Sequence, residues 1–387
     1  MLTPKLRFKE FNNKWKKNKL KFISSELQYG MNAAATDFDG QNKYIRITDI
    51  DENTHLYVNN PVSPDGELES KYLVNTNDIL FARTGASTGK TYLYRVDDGK
   101  LYFAGFLIRA HIKDSNNSRF IFEQTNLSKY NNWVKITSMR SGQPGINSVE
   151  YGNYEFSITC LDEENKIAHF LELLNQKIEL QQRKIETLKM YKRGLINNIF
   201  NIRYNNMLRL KNLIKEKSIR NKENTVNEVY SVNNKYGFIL QSEQFKDREV
   251  ASEDTSNYKI VQYNDFAYNP ARINVGSIAR MKENNKGIIS PMYICFSTKE
   301  NLLPEYLEFY FDSEVFKHEM TKRLEGSVRM CLSYESMTNI PVDLPVVEEQ
   351  KRRTKVLLEL DNKIEKEEII WSEIKRLKKG LLQKMFI

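Results

Sequence analysis

A chain of 387 residues with 40% hydrophobic and 11% aromatic content has room for two or three domains with real cores. Fifty-nine Lys and Arg against 50 Asp and Glu leave a formal charge of +9, which suits a nucleic-acid partner without requiring one. Cys160, Cys295 and Cys331 lack CxxC spacing and are odd in number, so they indicate neither a zinc site nor a disulfide framework and fit a reduced cytoplasm. No window approaches about 18 uninterrupted apolar residues, and no apolar run follows the N-terminal charges, so neither a membrane span nor a signal peptide is expected.

Residues 1–25 form a basic arm in which Leu6, Phe8, Phe11, Trp15 and Leu20 anchor eight Lys and Arg (Lys5, Arg7, Lys9, Lys14, Lys16, Lys17, Lys19, Lys21). Residues 26–159 then read as a strand-rich domain. Short runs such as YIRI (44–47), KYLV (71–74), DILFA (78–82), TYLYRV (91–96) and YFAGFLIRAHI (102–112) are separated by turn clusters like SPDGE and DDGK. Residues 119–136 contribute helix, and SGQPGINS (141–148) is a Gly/Pro loop.

From 160 to 200 the apolar positions step by 4 and 3, through Ile167, Leu171, Leu174, Ile178, Ile185, Leu188, Leu195 and Ile199, which predicts one long helix with a heptad seam. Residues 201–345 restart with a second basic arm and a second strand-rich domain, in which NDFAYNPARINVGSIAR (264–280) stands where NDILFARTGASTGKTYLYR (77–95) stood. Residues 346–387 are a second long helix, with its seam at Leu357, Leu360, Ile364, Trp371, Ile374, Leu381 and Met385.

At a constant offset of 186 the two helices share Glu163, Leu171, Leu174, Lys177, Ile178, Glu179, Lys189, Lys192, Gly194, Leu195 and Phe200 with their later counterparts. That is well above the roughly two or three identities expected by composition. The seam is interrupted at the same steps in both, by Gln181 and Glu367 and by Lys192 and Lys378. A parallel pair in equivalent register would oppose the two lysines, so an antiparallel pair is expected. The chain therefore reads as a tandem duplication.

Catalytic motifs fail on inspection. TGASTGKT (84–91) carries Thr84 where a phosphate-binding loop needs glycine, and Gly85 and Gly89 are one residue too close. Asn269, Pro270, Ala271 and Arg272 are not the tetrapeptide with which amino-methyltransferases hold a flipped base. His55, His111, His169 and His318 stand isolated, and Asp37, Asp39, Asp49 and Asp51 read as solvated surface. What remains are turn-prone stretches rich in groups that address bases and phosphates. These are Arg83, Thr84, Ser87 and Lys90 in one copy and Asn269, Arg272, Asn274 and Ser277 in the other, with Asn32, Arg46, Arg140, Gln143, Arg280 and Arg329 completing the candidate DNA-binding set.

DILFARTGASTGK (78–90), AGFLIR (104–109), SGQPGIN (141–147) and above all the repeated helix endings KRGLINNIF (192–200) and KKGLLQKMF (378–386) resemble the specificity subunit of a type I restriction-modification enzyme. The resemblance covers the whole chain. It implies an α+β protein with two strand-rich target-recognition domains, each followed by a long α-helix, the two helices pairing as an antiparallel coiled coil with pseudo-twofold symmetry. Each domain would read one half of a bipartite asymmetric target in double-stranded DNA, and the helices would set the spacer.

It further implies docking of two modification subunits that supply S-adenosylmethionine and adenine methylation. Two motor-nuclease subunits using ATP and Mg would join them, all in the cytoplasm, with no catalytic residue, metal or cofactor in this chain. One departure is GSVRMCLS (326–333) where the first copy has RSGQPGIN (140–147). The readings set beside this one are a specificity partner of an enzyme with fused methylase and nuclease, and a coiled-coil scaffold without a DNA role.

Overall fold

The computed structural model describes residues 3–52, 54–139, 142–244, 254–326 and 330–387. The chain divides into two compact units, Met1–Gln181 with Ile370–Ile387, and Gln182–Ile369. Each unit draws on both repeats, because each takes part of both long helices.

The first unit is built on an antiparallel sheet of β1 (Ser24–Tyr29), β2 (Asp78–Ala82), β3 (Thr91–Leu93) and β4 (Leu107–Ile112), in the order β1-β4-β2-β3. After Asp78 the strand is apolar throughout, Ile79 to Ala82, because β2 is covered on both faces. Ile79 and Phe81 join a core with Trp15, Phe120 and Ile121, while Leu80 and Ala82 point to another with Ile45, Tyr92 and Phe103. Asp78 starts the strand from a buried position. Its carboxylate accepts the Asn75 amide at 2.7 Å and meets His111 Nδ1 at 2.7 Å, and Asn77 before it takes a φ of 71°. The strand Lys43–Ile45 pairs in parallel with Leu101–Phe103, and the basic arm closes the unit as a ribbon, Lys16–Lys19 against Glu155–Ile158.

KYLV, expected as a strand, instead carries a tight helical turn at Ser70–Tyr72, and YFAGFLIRAHI is broken into two strands at Gly105. Asp49 is not solvated surface either: it is buried and receives both nitrogens of the Arg46 fork.

The second unit repeats this frame with β5 (Ile214–Lys217), β6 (Phe266–Tyr268), β7 (Ile278–Arg280) and β8 (Ile294–Thr298), in the order β5-β8-β6-β7. The correspondence reaches single hydrogen bonds. Asn264 takes a φ of 68° as Asn77 does, and Asp265 accepts the Gln262 amide at 3.0 Å as Asp78 accepts that of Asn75. The Leu20 amide donates to Tyr154 O and the Leu210 amide to Ile340 O, both at 3.0 Å. Cys295 lies inside this unit, where burial pushes its thiol up to about 12. One difference is the parallel pair, Val229–Asn233 with Gly287–Ile289, which here belongs to a four-stranded sheet.

The long helices are α1 (Leu161–Asn201) and α2 (Val347–Met385), both with acidic first turns that complement the helix dipole. They run antiparallel. In the first unit Leu171 and Leu174, early in α1, share a core with Leu381, Leu382 and Met385, late in α2. In the second unit Ile196 and Ile199, late in α1, pack with Leu357, early in α2, and Lys184–Glu367 (2.6 Å), Lys189–Glu368 (2.5 Å) and Lys192–Asp361 (2.5 Å) add ion pairs. The two seam lysines thus meet separate acids, since Lys378 lies 3.3 Å from the fully buried Glu123 in the first unit. The helix ends are closed by their surroundings: Arg353 Nη1 donates to Ile199 O at 2.6 Å and the Leu6 amide to Lys384 O at 2.8 Å.

Candidate nucleic-acid interface

In the first unit the site grows out of the end of β2. The Gly89 amide returns to Ala82 O at 2.9 Å and the Ala82 amide donates to Lys90 O at 2.8 Å, so residues 83–89 form a closed loop at the strand end. Gly85 and Gly89 both have positive φ, and a side chain on Gly89 would collide with Val134, so the loop needs glycine there for conformation and for space. The Gly/Pro loop clamps on from outside: the Ile146 amide donates to Arg83 O at 2.9 Å and the Gly85 amide to Pro144 O at 2.9 Å.

A groove of about 850 Å³ opens beside this loop. Six residues singled out in the sequence line it, Asn32, Arg46, Arg83, Thr84, Ser87 and Gln143, drawn from four separate stretches of chain. Arg83 is its organising cation. Its backbone amide donates to Phe106 O and its Nε to Gly105 O, both at 3.0 Å, and its guanidinium lies 5.0 Å from the Tyr29 ring centroid and 5.9 Å from that of Phe106. A carbonyl and two ring faces orient the group without neutralising it. Arg46 is different, because Asp49 takes its fork at 2.8 and 2.9 Å and raises its pKa further by that hydrogen bonding. Tyr44 sits buried beneath the rim and donates to Met31 O at 2.8 Å, which fixes the backbone next to Asn32.

Four expected contacts are corrected by their surroundings. Lys90 is 11% exposed at its side chain and donates to Ile50 O at 3.0 Å, so it braces the loop from inside. Arg280 is 6% exposed and is held by Glu305 and Glu308, each at 2.9 Å, and by Asn264 at 2.7 Å. Asn269 is buried and caps its own turn by accepting the Ala271 amide at 3.1 Å, and the buried Ser277 hydroxyl donates to Val232 O at 3.2 Å. Arg272 and Asn274 do stand exposed on the loop after β6, and Asn274 lines a cavity of about 440 Å³ together with Lys235, Lys282 and Lys317. Arg140 and Arg329 lie outside the described residues.

Sequence reasoning overlooked Tyr29 and Phe106, because it searched for polar readers. The signal was the Ala-Gly-Phe turn inside an otherwise continuous strand pattern, which places an aromatic side chain at a turn tip. Among the described residues, no group of three or more His, Cys, Asp or Glu is placed to hold a metal, and no helix is long and apolar enough to cross a membrane.

A duplicated sheet-and-long-helix frame with a groove at the strand ends defines a class, and comparison with known families identifies it. The chain belongs to the type I restriction modification DNA specificity domain family, whose model matches twice, over residues 5–190 and 196–376. Its match is to a specificity family, not a catalytic one. Among curated proteins it is similar to the type I restriction enzyme MjaVIII specificity subunit of Methanocaldococcus jannaschii, with 22% identity covering 80% of this chain and 78% of that protein. Among solved structures it resembles the S subunit of a type I restriction-modification system from M. genitalium, with a TM-score of 0.60 and 15% identity over 100% of this chain and 99% of that one. It also resembles a chain from a structure of complex assembly and conformational transition in the type I restriction-modification system, with a TM-score of 0.56 and 15% identity over 96% and 97%. These likenesses establish the fold, and the family model establishes a type I specificity subunit.

Proposed function

We propose that each strand-rich domain, residues 26–159 and residues 201–345, reads one half of a bipartite, asymmetric sequence in double-stranded DNA. In this reading the paired helices, residues 160–200 and 346–387, set the gap between the half-sites. They also dock two modification subunits, with two motor-nuclease subunits joining in the complete cytoplasmic assembly. S-adenosylmethionine, ATP and Mg belong to those partners.

The observation that carries the reading is the groove beside Arg83, where a cation with no carboxylate partner among the described residues is fixed near Asn32, Thr84, Ser87 and Gln143. Such a set can pair with guanine, with adenine and with phosphate. In the second domain the exposed Arg272 and Asn274 take the corresponding role.

The test is a domain exchange. Replacing residues 27–158 by the equivalent segment of another such subunit, in a host that supplies the modification subunit, changes one half of the methylated motif and leaves the other. Methylome sequencing reads the outcome. A motif changed in both halves, or in neither, would overturn the modular reading.

A further inference from the structure

At the offset of 186, Phe106 corresponds to Met292. Both are 58% exposed, and both occupy the second position of a two-residue tip, Gly105-Phe106 and Pro291-Met292. The tips are built alike. The Leu107 amide donates to Ala104 O at 2.8 Å, and at the corresponding place the Tyr293 amide donates to Ser290 O at 3.1 Å. Outside the two long helices, these are the only large apolar side chains among the described residues left exposed at positions related by that offset.

A single exposed apolar residue needs no explanation. Two at one repeated position, on turns whose backbones are pinned, do. The Gly105 amide donates to Met31 O at 2.7 Å and Phe106 O accepts from Arg83, while Lys259 Nζ donates to Tyr293 O at 2.7 Å and the Tyr293 ring is buried just behind Met292. Each tip is therefore a stiff mount for an apolar side chain pointing away from the core. In the first unit the mount borders the groove that holds Arg83.

We propose that Phe106 and Met292 are wedges, each inserting between adjacent base pairs of its own half-site and unstacking that step. Phe and Met both belong to the set of flat or flexible apolar side chains that enter base stacks, and the groove cation beside Phe106 would hold the flanking phosphate. The pair would lower the work of distorting the duplex, which a methyltransferase that acts on an extruded base must perform. The inference rests on the DNA-reading function proposed above.

The experiment uses the full chain assembled with its modification subunits and a duplex carrying the methylated motif, with 2-aminopurine placed in turn at each purine other than the target adenine. Wild type gives a fluorescence rise on binding at one step in each half-site. Phe106→Ala abolishes the rise in the first half-site only and weakens binding about tenfold. Met292→Ala does the same in the second, and Phe106→Leu retains the signal. Binding without a fluorescence rise at any step, or a rise unchanged in Phe106→Ala, overturns the wedge and leaves the reading function standing. Failure of the wild-type complex to bind any duplex overturns both. Loss of assembly with the modification subunits in Phe106→Ala assigns the residue to a protein contact and overturns the wedge.

Discussion

The two units keep the same sheet order and the same strand-start hydrogen bonds, yet they use the loop after the central strand differently. After β2 the loop carries Arg83 at the surface over two aromatic rings, with Lys90 turned inward to Ile50 O. After β6 the polar residues that look most like readers, Asn269, Ser277 and Arg280, are buried in hydrogen bonds and ion pairs, and Arg272 and Asn274 remain outside. A frame fixed by packing leaves its loops free to change chemistry, because the loop residues are not needed to cover the sheet. The same residue type in an equivalent stretch can thus brace one unit and face solvent in the other.

That contrast breaks most sharply at Arg280. Arg280→Ala leaves Glu305 without its cation and Glu308 with only Lys282, 2.8 Å away, and the second unit should lose about 1–3 kcal/mol, less than breaking a fully buried pair because both carboxylates keep some exposure. Hydrogen exchange resolved to the two units would register the loss in residues 182–369. If the unit kept its protection and DNA affinity fell instead, the division between bracing and reading residues would be wrong.

Arg83→Ala should act the other way, with little change in stability. Losing a base contact would weaken binding by about 1–3 kcal/mol and relax one motif position, whereas losing a phosphate contact would lower the salt slope by roughly one for all sequences. Titrations at several salt concentrations separate these outcomes, and an unchanged affinity at every one would remove Arg83 from the interface.

A smaller effect sharpens the comparison inside the helix starts. Glu164 accepts the amides of Asn117 at 2.8 Å and Thr159 at 3.1 Å, while its counterpart Gln350 accepts the Leu303 amide at 2.9 Å and donates to Pro345 O at 2.9 Å. Proline has no amide hydrogen where Thr159 has one, so the change from carboxylate to amide and the change from Thr to Pro go together. Glu164→Gln alone would point an N–H group at the Thr159 N–H and cost about 1 kcal/mol.

Burial raises the pKa of Glu164. Its neutral form therefore favours the fold below the unfolded value, and that contribution is lost as pH rises through the folded one. The deficit of Glu164→Gln, followed by denaturant titration, is thus expected to be largest in acid and to shrink toward neutrality. A deficit independent of pH would mean that Glu164 does not titrate in this environment.

The helices and the duplication were legible because a heptad seam is a local, periodic signal, and its shared interruptions carried the register. DILFA was legible as a strand by another local signal, a short apolar run bounded by turn-forming residues. The fate of Arg280 was not, since it depends on Glu305 and Glu308 arriving from a helix more than twenty positions later (Pro304–Asp312). Asp49 was misread because its partner Arg46 lies three residues away in a turn that no periodicity announces. The groove assembled Asn32, Arg46, Arg83 and Gln143 from stretches whose proximity only the folded sheet creates.

The core around Trp15 and Phe120 contains Leu382, Met385 and Phe386. During translation, Gln181 is added to the chain about 200 residues before those side chains exist, an interval on the order of ten to forty seconds at about 5–20 residues per second. The second unit, whose segments end at Ile369, has all its parts earlier. The unit begun first is completed last, so a nascent chain carries an open apolar flank through most of its synthesis. Truncations near residue 380 would be expected to strike the sheet that was made at the start.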